Sequence, residues 1–200
     1  MRIHSLSSSD SNLPHFGLVV PTQWNRVDTG DEAKIKEIGD QLTELLPDES
    51  ETRIREDVFD YWRSLVDTNV TQYFTYARAI GDKALVQILL CSIGRFDADA
   101  NQSFQDIAQT LFRSLDQGWE TSPPMFSMHN GSNLEYFRAE RLIIEPGKWP
   151  WDASREIQYL FGHPEFSVYV LLTAVSPNTQ VHALTNQFDE VAESFFWLPT

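Results

Sequence analysis

The sequence is short of the residues on which most recognisable chemistry is built. Of 200 residues, one is cysteine, Cys91. A single thiol excludes an intramolecular disulfide and a cysteine-rich zinc site, so nothing points to an oxidising compartment. Cys91 stands within Ile88-Leu-Leu-Cys-Ser-Ile93. Such a run reads as a buried strand, where a thiol serves as a small hydrophobe. Histidine is also sparse: His4, His15, His129, His163 and His182 include no pair at metal spacing. There is no G-x-G-x-x-G after a strand, no P-loop and no G-x-S-x-G elbow. The sequence therefore offers no catalytic residue and leads us to expect no cofactor and no metal. One short stretch, Asp97-Ala-Asp-Ala-Asn101, matches the first ligands of a calcium loop. The glycine that such a loop requires is replaced by Gln102, and its terminal glutamate by Ala108. Asp99 or Asn101 reads better as the N-cap of a helix.

Positive charge is the second shortage. Fifteen Lys and Arg face 29 Asp and Glu, a net charge of −14. That charge repels phosphate backbones and anionic lipid surfaces, which argues against nucleic-acid and membrane partners. It suits solubility, or an acidic face that steers a basic partner. No apolar run approaches the roughly 20 residues of a membrane span. Met1 to Asp10 holds no run of signal-peptide length, so a cytoplasmic location is expected.

What the sequence has in quantity is aromatic side chains, 13 Phe, 6 Tyr and 6 Trp. Large flat residues suit a sheet-rich core. The clearest stretch is Phe166 to Val175, apolar on both faces, followed by Val181, Leu184, Phe188, Val191 and Phe195 at helical spacing. It reads as a central strand and a helix that covers it. Residues 1–13 are polar and serine-rich and are expected to form a loose tail, with 14–200 as a single domain. Phe16 to Val20 reads as a strand, and Thr29 to Glu32 as a capping box opening a helix with Ile35, Ile38, Leu42 and Leu45 on one face. A second, longer helix after Pro47 carries Ile54, Val58, Tyr61 and Leu65. Tyr73–Ile80 and Ala84–Ile93 form a hairpin about Gly81-Asp82. A helix follows with Phe104, Ile107, Ala108, Leu111 and Leu115. Residues 119–133 read as a long connection. Leu134–Glu145, Arg155–Phe161 and Phe166–Val175 form a meander before the last helix.

The fold class is thus α+β: a single, largely antiparallel sheet of about six strands flanked by about four helices, in the order βααββαβββα. Two segments resemble a known group. Phe16-Gly-Leu-Val-Val-Pro-Thr-Gln-Trp24 resembles the opening strand of Mog1/PsbP-like proteins. The meander followed by Leu184…Phe188-Asp189…Val191-Ala192…Phe195…Trp197 resembles uncharacterised actinobacterial proteins of that layout. The resemblance implies an α/β/α sandwich and a binding or assembly role. Members of the group bind a GTPase, sit on a photosystem or occur as bacterial lipoproteins, and this chain has no lipobox cysteine.

Lys148-Trp149-Pro-Trp151 lies between two expected strands. Two indoles in a connection either fold back over a sheet edge or anchor a partner. The leading reading is a non-enzymatic protein- or peptide-binding or assembly module, with Lys148, Trp149 and Trp151 as its contact. A second reading is an enzyme with a pocket between the sheet and the 119–133 loop. A third is a homodimer that associates through a sheet face. The calcium-loop reading has its own check: calorimetric titration with calcium is expected to give no micromolar binding.

Overall fold

The computed structural model describes residues 2–6, 14–28, 31–45, 56, 60, 70–80, 83–95, 104–114, 120–121, 125–131, 134–144, 154–163, 167–177 and 181–199. In chain order these form β1 (Arg2–Leu6), β2 (Phe16–Val20), β3 (Asn25–Asp28), α1 (Glu32–Leu45), β4 (Val70–Ile80), β5 (Lys83–Arg95), α2 (Phe104–Ser114), β6 (Glu120–Thr121), β7 (Met125–Asn130), β8 (Glu135–Ile144), β9 (Ser154–Gly162), β10 (Val168–Pro177), α3 (Val181–Glu193) and β11 (Phe196–Trp197). The helix expected after Pro47 lies outside the described residues, apart from Glu56 and Asp60, which are helical.

The strands form two sheets. The large one runs β3-β4-β5-β10-β9-β8-β6, and β7 joins it by pairing with β8. Every pairing in it is antiparallel. β5, with its unbroken apolar run, lies between β4 and β10, as expected of a strand buried on both faces. Ile80 pairs with Lys83, which leaves the two residues of a tight hairpin between them. The small sheet is β1-β2-β11. Two expectations change here. Arg2–Leu6 belongs to no loose tail but pairs along the whole of β2. Phe16–Val20 lies in the small sheet rather than among the strands of the large one.

Alternation along the strands sorts their side chains between two faces. One face carries Tyr136, Ile157, Tyr159, Phe161, Val170, Leu172, Leu89, Cys91 and Phe74. These pack with Phe16, Leu18 and Val20 of β2 and with Phe188, Val191 and Ala192 of α3. The opposite face carries Phe137, Ala139 and Leu160, which pack with Ala108 and Phe104 of α2. Helix α1 lies over β4 and β5, with Ile35 and Ile38 buried. Its N-cap is Asp31, whose Oδ1 accepts the Lys34 N–H at 3.0 Å. Thr29, expected in that role, lies outside the described residues.

The C-terminal segment locks the two sheets together. Ser194, after α3, accepts the Val19 N–H on its Oγ at 2.8 Å and donates to the Val191 carbonyl at 2.6 Å. Phe195 stacks on Phe161 of the large sheet at 4.0 Å and on Phe16 of the small one at 5.3 Å. Phe196 pairs with Gly17, and its ring lies so close that a Cβ at Gly17 would come within 2.3 Å of it. Trp24 meets Phe188 edge-on at 5.5 Å. Phe188 is buried at the centre of this packing, as its helical spacing predicted. Phe188→Ala should therefore cost about 3–5 kcal/mol, from lost transfer energy and the cavity left behind. A denaturant unfolding midpoint measures it, and an almost unmoved midpoint would place α3 outside the core.

Candidate functional site

Residues 125–130 form a strand, not part of the long connection expected over 119–133. β7 pairs with β8 from Met125↔Glu140 to Asn130↔Glu135, and the Gly131 N–H donates to the Leu134 carbonyl at 3.1 Å. Asn130-Gly131 thus opens a hairpin, with two residues between Gly131 and Leu134. β6 pairs with the far end of the same β8 edge, at Ile143 and Ile144. Pro123 and Pro124 stand between β6 and β7 in sequence, and neither has an N–H to give to a ladder.

β7 is an edge strand on which large apolar side chains face water. Met125 is 68% exposed, Phe126 43% and Met128 60%, and they are the exposed large hydrophobic side chains among the described residues. Opposite partners share a face, so Phe126 and Met128 stand with Ala139 and Phe137 on the side of α2. There they border an open groove of about 130 Å³ whose other wall is Gln105, Ala108 and Gln109 of α2, with Phe137 and Ser127 completing its lining. The pocket suggested by the sequence was to lie between the sheet and a 119–133 loop, whereas this groove lies between α2 and the β7–β8 edge of the sheet itself. Its volume is well below the roughly 300–1,000 Å³ of a small-molecule site. Among the described residues its lining contains no ionisable side chain. The space is that of one or two apolar side chains.

The other side of β7 carries Met125, Ser127 and His129. Ser127 Oγ and His129 Nε2 are 2.7 Å apart, and the His129 ring stacks on Tyr136 at 5.4 Å. Both hydrogen-bonding groups sit on an exposed strand, and the ring contact holds His129 against the sheet.

Behind β7, β8 is fixed by charge. Arg138 Nε donates to Asp189 Oδ1 of α3 at 2.9 Å, and the Tyr159 hydroxyl donates to the same oxygen at 2.7 Å. Arg138 also meets Glu140 at 2.8 Å, and Glu140 pairs with Arg155. On the opposite face Arg141 pairs with Glu156 at 2.8 Å. Burial raises the Tyr159 pKa strongly, and the Asp189 carboxylate adds to the rise. Tyr136 is pushed up to about 12, by burial first and then by Glu193 and Asp189. Cys91 is fully buried, as its apolar neighbours predicted, and burial raises its thiol pKa well above the ordinary 9.0.

Lys148, Trp149 and Trp151 lie outside the described residues, in the connection between β8 and β9. Asp97, Asp99 and Asn101 lie outside them too. Among the described residues no cluster of His, Cys, Asp and Glu could hold a metal ion, and no helix is long and apolar enough to cross a membrane. The sequence reading missed Met125, Phe126 and Met128. The signal that could have found them was Asn130-Gly131 just before the apolar run of β8, a hairpin turn that implies a strand on its other side.

With a large antiparallel sheet, helices along its faces and a small sheet closed by β11, the chain has the Mog1/PsbP-like fold expected from its opening and closing segments. It resembles the cyanobacterial PsbP (CyanoP) of Synechocystis, with 11% identity and a TM-score of 0.55 over 98% of this chain and 92% of that one. It also resembles LpqN of Mycobacterium tuberculosis, a protein involved in cell envelope biogenesis, with 12% identity and a TM-score of 0.54 over 99% of this chain and 91% of that one. No family model matches the chain, and no curated protein matches it. At such identities the likeness is one of fold.

The buried thiol and phenols set a pH dependence. Above pH 9 the unfolded chain loses the Cys91 proton while the folded chain keeps it. The folded state then binds more protons, so stability falls as pH rises. The fall should begin near pH 9 at up to about 1.4 kcal/mol per pH unit, and steepen above pH 10 as Tyr159 and Tyr136 join. Chemical unfolding between pH 7 and 11 measures it, and Cys91→Ala should remove the part that begins near pH 9.

Proposed function

We propose that this chain is a protein-binding or assembly module that engages its partner through the β7 edge and the groove beside α2. The exposure of Met125, Phe126 and Met128 in one strand carries this reading. Three large apolar side chains on six consecutive residues are unusual on a solvated surface, and such patches mark interaction sites. The back wall supports it, because β8 is tied to α3 through Arg138 and Asp189 and presents β7 on a rigid support. The groove's small volume, and a lining uncharged among the described residues, favour binding over catalysis. The net charge of −14 favours a protein partner over nucleic acid or an anionic membrane. Cysteine usage and charge keep the cytoplasm as our reading of its location.

Lys148, Trp149 and Trp151 are proposed as a second contact on the same partner. Their support is the sequence alone: two indoles and a cation in the connection that follows β8. Trp is the residue most enriched among interface anchors.

The test begins with a partner recovered by pull-down from the native host, its affinity then measured by calorimetry. Changing Met125, Phe126 and Met128 together to Ser should weaken binding by about 2 kcal/mol or more, the range of interface hot spots. The melting temperature should hardly change, because these side chains are already in water. Trp149→Ala with Trp151→Ala should weaken binding by a similar amount, about 2 kcal/mol. Unchanged affinity in the β7 variant would remove this site from consideration.

A further inference from the structure

The sulfur of this chain is unevenly placed. The sequence has three methionines and one cysteine. Two of the methionines, Met125 and Met128, stand within the six residues of β7, and they are 68% and 60% exposed. Cys91 is the reverse case. It is sealed in the main core, and burial raises its thiol pKa, so the reactive thiolate is scarce. A peroxide that reaches the folded chain therefore meets the thioethers of β7 before the thiol. The two thioethers differ in place. Met128 lines the groove, across from Gln105 and Gln109 of α2, whereas Met125 stands on the other side of the strand.

We infer that Met128 is a reversible oxidation site that switches the groove: hydrogen peroxide converts its thioether to the sulfoxide, and the oxidised side chain closes the groove to apolar groups. A sulfur lone pair attacks one peroxide oxygen. The S–O bond forms as the O–O bond breaks, and the departing hydroxide takes the proton from the transferred oxygen and leaves as water. Sulfur loses two electrons and the peroxide gains them. Reductases specific for the two sulfoxide epimers reverse the change.

The surroundings of Met128 make the change count. A thioether is flexible and apolar, which suits an adaptable docking surface, and its sulfoxide is polar, which disrupts one. The sulfoxide oxygen accepts hydrogen bonds, and the carboxamides of Gln105 and Gln109 offer N–H donors on the opposite wall. A side chain drawn across to them occupies a groove of only about 130 Å³. The effect on binding rests on the reading of β7 as the docking strand, whereas the chemistry of the sulfur does not.

The probe is the neutral dye Nile red, whose fluorescence rises on apolar surfaces, titrated against the full chain. Changing Met125, Phe126 and Met128 together to Ser should remove most of the bound-dye signal. Dilute hydrogen peroxide should add one oxygen to each of Met125 and Met128, located by tandem mass spectrometry, and leave Cys91 unmodified. The oxidised chain should bind the dye about fivefold more weakly, the effect of losing a modest interface contact. Incubation with both sulfoxide reductases should restore the affinity. Met128→Leu, apolar and of similar volume, should bind the dye like the unmodified chain and keep that affinity after peroxide. Met125→Leu should stay sensitive. Met128→Gln, polar and of similar length, should bind weakly without peroxide.

The outcomes are distinguishable. If the triple Ser variant binds the dye as the unmodified chain does, β7 is removed as a docking strand. If that variant loses the dye while the oxidised chain keeps it, the site stands and the switch is overturned. Sensitivity that persists in Met128→Leu, or oxidation of Cys91 ahead of Met128, also overturns it. Circular dichroism of the treated chain should match that of the untreated one. Unfolding by peroxide would trace the lost dye to lost structure and overturn the switch.

Discussion

The structure depends on one aromatic ring. Phe195 lies between Phe161 of the large sheet and Phe16 of the small sheet, with Trp197 edge-on at 5.2 Å. Neither sheet buries its inner face alone. The three strands around β2 are too few to stand independently, since small isolated sheets are marginal in water. Phe195 and the last turns of α3 supply the apolar surface that both need. Stacked rings add roughly 0.5–1.5 kcal/mol beyond the area they bury, and here two stacks share one ring. The position of α3 follows, because Ser194 ties its end to β2 while Asp189 ties its middle to β8.

That arrangement leaves a gradient of support across the large sheet. β5 and β10 have neighbours on both sides, β10 has apolar layers on both faces, and β5 has the main core on one face and α1 packed against it. β8 has a charged latch to α3 and the α2 layer behind it. Among the described residues, β7 has one ladder and little cover. Local stability falls along such a series, and elements that meet partners are drawn from its low end. The buried ion pairs of β8 are weak evidence for stability as such, since desolvation offsets much of their attraction. Their geometry nevertheless fixes the strand on which β7 is mounted.

The parts legible in the sequence are those where burial imposes a pattern. β5 and β10 read as apolar runs because both faces are covered, and α3 read from Phe188 and Val191 because one face is buried. The Gly81-Asp82 hairpin was visible because its turn needs those residues. β7 was invisible for the opposite reason. Its side chains face water, so neither alternation nor an apolar run marks it, and the prolines before it suggested a loop. β1 is five residues of mixed polarity, Arg2-Ile-His-Ser-Leu6, with neither an apolar run nor a turn signal to mark it as a strand. The division into two sheets was hidden because strand patterns do not say which strand pairs with which. The cap at Asp31 lies two positions after the Thr29 expected, and aspartate is the better N-cap of the two.

The bond between Val19 and Ser194 joins residues 175 apart in sequence. The small sheet therefore cannot close until a loop of nearly the whole chain has been drawn together. The loss of chain freedom grows only slowly with loop length, yet it falls due before any contact between the two sheets can offset it. The hairpins of the large sheet, β4 with β5 and β8 with β9, need far shorter loops and can form first. Formation of the Phe16–Phe195–Phe161 stack is then a late event. Until it occurs, the inner face of the large sheet stays open to water and to other unfinished chains, and the rate of that one closure sets how long the exposure lasts.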